Sequence, residues 1–235
     1  MGNTLVAAAY RESSNAVGIN GNSADNSLAN AGAVYTFGRS GLNWGMGAYV
    51  KSTNTNLGDD FGYGAVISAD ASMIAIAAEG EASGNGDPSD NSAPGTGALY
   101  TFTTSPFAPH SYLKAPNGQA GDEMGYGLAT STSGDAICVG APFEASAATG
   151  VDGNGADNSA IDAGAVYLFS TGALAPHYIK APETSPGDQF GWACALSAFG
   201  DVLAVSALNE NGSGVGIDPP PDENAPNAGA VWVYY

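Results

Sequence analysis

The pentapeptide GDQFG at 187–191 has near-copies at 58–62, GDDFG, and at 121–125, GDEMG. Nothing else constrains the fold of this chain as strongly, because each copy heads the same train of segments. From 121 the train runs GDEMGYGLATSTSG, DAICVGAPFE, a polar loop, AGAVYLFS and HYIKAP. From 58 it runs GDDFGYGAVISAD, SMIAIAAEGE, GTGALYTFT and SYLKAP, and from 187 GDQFGWACALSAFG, DVLAVSALNE and AGAVWVYY. The first stretch enters one step late, with GNTLVAAAYRE, AGAVYTFGRS and GAYVKS. The glycine ahead of each AVY-type run falls at Gly32, Gly97, Gly164 and Gly229, a period of 65 to 67 residues.

Each complete unit holds four short runs of β type. In AVYLF, Val166 and Leu168 fall on one side and Tyr167 and Phe169 on the other. Both sides are apolar, so each sheet is expected to be covered on both faces. The 34 glycines and 13 prolines break the chain into turns and leave no room for long helices. Four antiparallel strands per unit at this period predict an all-β fold of β-propeller type, about three and a half four-stranded blades. The units span 1–57, 58–120, 121–186 and 187–235; the first lacks its first strand and the last its fourth, giving fourteen strands. The pentapeptide then marks the crossover into each new blade. Its glycines permit close approach, and Phe61, Met124 and Phe190 pack between blades. Lys51, Lys114 and Lys180 recur just upstream, which pairs them with Asp59, Asp122 and Asp188 in an architectural role.

These residues carry a resemblance. GDQFG followed by VGAP-type segments resembles the FG-GAP repeats of integrin α-subunit propellers, and the longer form GVDGNGADNSAIDAGAVYLF with YIKA is similar to bacterial secreted members of that group. The likeness recurs in every unit. It implies a propeller used for adhesion, ligand binding or scaffolding at the cell surface or outside the cell. The calcium loop common in integrin-type repeats does not carry over, because the connections SADAS, STSGD and SAFGD lack alternating Asp and Asn ligands.

Charge narrows the partners. Five Lys and Arg against 23 Asp and Glu give a net charge of −18, which disfavours nucleic acid and anionic membranes. No apolar stretch approaches the roughly 20 residues of a membrane span. Cys138 and Cys194 each lie in an apolar run and read as two buried free thiols rather than a bridge.

The candidate site residues repeat with the units. Asp25, Asp90, Asp157 and Asp222 each precede the repeat glycine by seven residues, and Glu12, Glu81, Glu144 and Glu210 close the preceding strand. A carboxylate pair with loop carbonyls suits calcium, while an Asp that caps its own turn suits the same spacing. His110 and His177 belong to different units and read as packing residues. Trp44, Trp192 and Trp232 suit sugar stacking when exposed and inter-blade core when buried. Nucleophile-elbow, zinc-helix and phosphate-loop motifs are missing, so a non-enzymatic protein is expected. The incomplete first and last units leave three readings: a four-bladed ring, a piece of a longer repeat protein, or blades continuing from copy to copy. The last is favoured. It predicts head-to-tail self-association through 1–12 and 226–235, with a module binding glycans or cell-surface proteins as the alternative.

Overall fold

The computed structural model describes residues 2–171, 173, 175–217 and 222–235. Among them are fourteen strands in four antiparallel sheets, and no helix. Sheet 1 is ordered β1 (Thr4–Ala9), β2 (Ala33–Ser40), β3 (Asn43–Val50). Sheet 2 is β4 (Ala65–Ile67), β5 (Met73–Ala78), β6 (Ala98–Thr104), β7 (Phe107–Leu113). Sheet 3 repeats that order with β8 (Leu128–Thr130), β9 (Ala136–Ala141), β10 (Ala165–Ser170) and β11 (His177–Ile179). Sheet 4 comprises β12 (Phe190–Leu196), β13 (Leu203–Ala207) and β14 (Ala230–Tyr234). Every sheet is a simple meander, none closes on itself, and each is built within one sequence unit.

The alternation along the strands sets how the sheets stack. Val166 and Leu168 of β10 join Leu203, Val205 and Ala207 in the core between sheets 3 and 4. Tyr167 and Phe169 join Leu99 and Met124 in the core between sheets 2 and 3. Val34 and Val50 likewise meet Ile74, Ile76, Tyr100 and Phe102 between sheets 1 and 2. One aliphatic face therefore packs on one aromatic-bearing face, three times over. Burying such side chains is worth about 1.5–3 kcal/mol each before entropic costs, so these three cores hold the stack together.

The pentapeptide is the hook between sheets. Phe61, Met124 and Phe190 are fully buried, one in each core. The residue before each has positive φ (Asp60 53°, Glu123 53°, Gln189 55°), which turns the chain back on itself. That turn brings the Phe190 N–H to the Ala163 carbonyl at 3.0 Å and the Met124 N–H to the Thr96 carbonyl at 3.1 Å. The next residue is the repeat glycine. A Cβ on Gly97 or Gly164 would collide with the backbone of Met124 or Phe190, and both glycines have φ near 81° (81° and 82°). The repeat glycine is thus fixed by the approach of the next unit's chain.

Candidate functional site

The lysines do not pair as the sequence suggested. Lys51 Nζ donates to Glu12 Oε2 at 3.0 Å, Lys114 to Glu81 Oε2 at 2.6 Å and Lys180 to Glu144 Oε2 at 2.8 Å. Glutamate ends the second strand of its unit and lysine follows the last, so the pair clasps the sheet across its width. Asp59, Asp122 and Asp188 instead accept the N–H groups of Asn56, Gln119 and Ser185, three residues upstream, at 2.7–2.8 Å. A short carboxylate reaches its own turn more readily than a lysine beyond it.

The clasps are buried and elaborated. Glu144 Oε1 accepts the Tyr178 hydroxyl at 2.8 Å and the Asn117 amide at 3.2 Å, and Oε2 also accepts the Ser146 N–H. Asn117 comes from the crossover out of sheet 2, and its Oδ1 takes the Tyr167 hydroxyl at 2.9 Å. Sheet 2 repeats the arrangement with Glu81, Tyr112, Asn54 and Tyr100. Burial pushes the Lys51, Lys114 and Lys180 ammonium groups below their usual range, and the partner glutamates oppose this. A signal for the clasp stood in the sequence: Glu-x-Ser at the end of one strand and Tyr-x-Lys 33 to 39 residues beyond. Sheet 4 has Glu210 but Gly212 in place of the serine and no Tyr-x-Lys after it.

The repeated aspartates close the polar loops, each of the first three taking the backbone N–H that follows the one its unit's glutamate accepts. Asp25 Oδ1 accepts the N–H groups of Asn15 and Ser27. Asp90 accepts those of Gly84 and Ser92, Asp157 that of Ala147, and Asp222 those of Ser213 and Asn224. Hydrogen bonds to backbone and serine hold all four carboxyls below the usual range, Asp222 at about 2. Among the described residues no three carboxylate, imidazole or thiol groups converge on one point as a metal ion requires.

Two further expectations are corrected. Cys138 of β9 and Cys194 of β12 form a disulfide between sheets 3 and 4, with Cα atoms 6.8 Å apart. Each apolar run does face a core, but both face the same one. The histidines do not pack inside. His110 is exposed on β7, and His177 is exposed and meets Asp152 Oδ2 at 2.9 Å. The tryptophans divide. Trp232 packs against the core between sheets 3 and 4, whereas Trp44 lies exposed beneath Arg39. Trp192 is part-exposed and ends a run of rings, Tyr10–Tyr63–Tyr126–Trp192, with centroids 4.9–5.7 Å apart.

The outward faces of sheets 1 and 4 complete the picture. Val231 of β14 is 67% exposed, whereas its repeat equivalent Val166 is 0% exposed against the next sheet. Leu5 of β1 is 45% exposed, whereas its equivalent Ile74 is 1% exposed against the preceding sheet. Sheet 4 thus presents the aliphatic half of the inter-sheet contact and sheet 1 the aromatic-bearing half, with Tyr35 and Phe37 beside Leu5.

Fold and clasps define the class as an all-β repeat protein of stacked antiparallel sheets. No family model matches the chain, and no curated protein matches it.

Proposed function

We propose that the chain is a non-enzymatic extracellular structural or adhesive module, whose sheets are propeller-type blades of FG-GAP kind that continue from one copy to the next. One observation carries this reading. The outward face of sheet 4 and the outward face of sheet 1 are the two halves of a contact already made three times inside the molecule. A second copy offers a surface of matching residue types in matching places, and the two faces are different, so the contact is head-to-tail and gives rings or filaments. The inter-sheet disulfide supports an oxidising compartment, which accords with a cell-surface or extracellular setting. The acidic surface accords with partners other than nucleic acid or anionic lipid.

Sedimentation and negative-stain microscopy over a concentration series test the proposal. End-to-end oligomers that grow with concentration are expected, and Val231→Asp is expected to abolish them while leaving the monomer folded. A wild-type protein that stays monomeric at high concentration overturns it.

A further inference from the structure

Sheets 2 and 3 enclose a cleft of about 530 Å³ between them. That size lies in the range of small-molecule sites, roughly 300–1,000 Å³. Met73 and Phe169 supply apolar wall, and Thr101, His110, Ser111 and Asp135 supply polar groups.

The side chains of the cleft, rather than its backbone, break the repeat. Thr101 pairs with Ser111 across β6 and β7, and Phe102 pairs with Pro109, so His110 is an extra residue bulged out of the ladder. A bulge re-aims the side chain it carries. Sheet 1 carries the same bulge with Gly47 as its extra residue, so only sheet 2 places a long polar side chain there, and in sheet 3 the ladder ends at Leu168, the equivalent of Thr101, and His177. In sheet 1 the equivalent threonine is present but satisfied: Thr36 Oγ1 accepts the Ala48 N–H at 2.8 Å. Thr101 is only 3% exposed, and its Oγ1 has no hydrogen-bond partner among the described residues. An unpaired buried hydroxyl is costly, and the residue that carries this one lines the cleft.

Charge selects the occupant. Among the described residues Lys114 is the one ammonium lining the cleft, and it is already engaged by Glu81 Oε2 and the Gly97 carbonyl, so it is not free to hold a phosphate or carboxylate. Asp135 repels anions. Its Oδ2 accepts the Ser133 hydroxyl at 2.8 Å, and Oδ1 takes no hydrogen bond from the described residues. We propose that this cleft binds a neutral saccharide of one or two rings. The C–H face of a ring rests on Phe169 and Met73, its hydroxyls donate to Asp135 Oδ1, and Thr101 and Ser111 exchange hydrogen bonds with the others. The site lies inside one chain and stands whether or not copies stack.

Calorimetric and NMR titration of the intact protein with maltose, cellobiose and chitobiose tests this. Saturable binding of at least one sugar in the millimolar range or tighter is expected, with shifts at the His110 and Phe169 resonances. Asp135→Asn, at an exposed position, is expected to keep the fold and weaken binding about tenfold, and Phe169→Ala to abolish it. Thr101→Val is expected to melt no lower than wild type and also to bind more weakly. Absence of binding for all three sugars, or affinity unchanged in Asp135→Asn and Thr101→Val, overturns the assignment.

Discussion

At the residue scale, the molecule depends on buried ion pairs that a surface count would have undervalued. Glu144 and Lys180 are withdrawn from water together, and Glu144 takes further hydrogen bonds from Tyr178 and Ser146. Removing one partner strands a buried charge, which typically costs 3–5 kcal/mol. Lys180→Met is therefore expected to lower stability by about that amount in urea unfolding, and Glu144→Gln together with Lys180→Met to recover much of the loss. A single variant costing less than about 1 kcal/mol would show the pair to be solvated. Sequence reading found the lysines because they repeat, but chose the wrong carboxylates. Closeness along the chain favours the aspartates, whereas the meander returns the ends of the second and fourth strands to one end of the sheet, with the third strand between them. The loop aspartates Asp25, Asp90, Asp157 and Asp222 admitted two readings from sequence, calcium ligand and turn cap, and each accepts backbone N–H groups of its own polar loop.

At the element scale, the strands were well marked, since β10 alternates aliphatic and aromatic residues and its two neighbours in the stack bury one kind each. The 3-4-4-3 strand count follows from the same pattern. What the pattern could not show was the disulfide. Cys138 and Cys194 occupy different strands of different units, so no repeat position flags them as a pair, and only the docking of β12 against β9 brings them together. The bridge closes a loop of 56 residues in sequence. Its removal is expected to cost about 2–5 kcal/mol, read as a lower Tm for Cys194→Ser or for the reduced protein. Equal melting of oxidised and reduced protein would count against a bridge in solution. The cleft beside β7 was equally invisible, because a one-residue bulge leaves the hydrophobic pattern intact.

At the scale of the whole molecule, two sets of carboxyls pull the pH profile in opposite directions. Burial is the largest cause raising Asp59 and Asp122 to about 7 and Asp188 to about 6, and Glu79 also stands at about 7. Between about pH 4 and 7 the folded chain binds more protons at these groups than the unfolded chain, so their effect on stability worsens as pH rises through that window. The loop aspartates, held below the usual range, contribute stability above about pH 4 that is lost as pH falls through their depressed values. Tm is therefore expected to peak between about pH 4 and 6 and to decline toward pH 8. A Tm that climbs steadily from pH 5 to 8, measured by calorimetry in one buffer series, contradicts this assignment of the buried carboxyls.

The clasps have one more consequence. By enclosing Lys51, Lys114 and Lys180, the sheets leave Arg11 and Arg39 as the only Lys or Arg side chains at the surface, among a large excess of acids. Two such bodies approaching end to end repel one another until dissolved ions screen them, over about 8 Å at physiological ionic strength. The proposed end-to-end contact is then governed by salt: dilute buffer keeps copies apart, and brine lets the apolar faces meet.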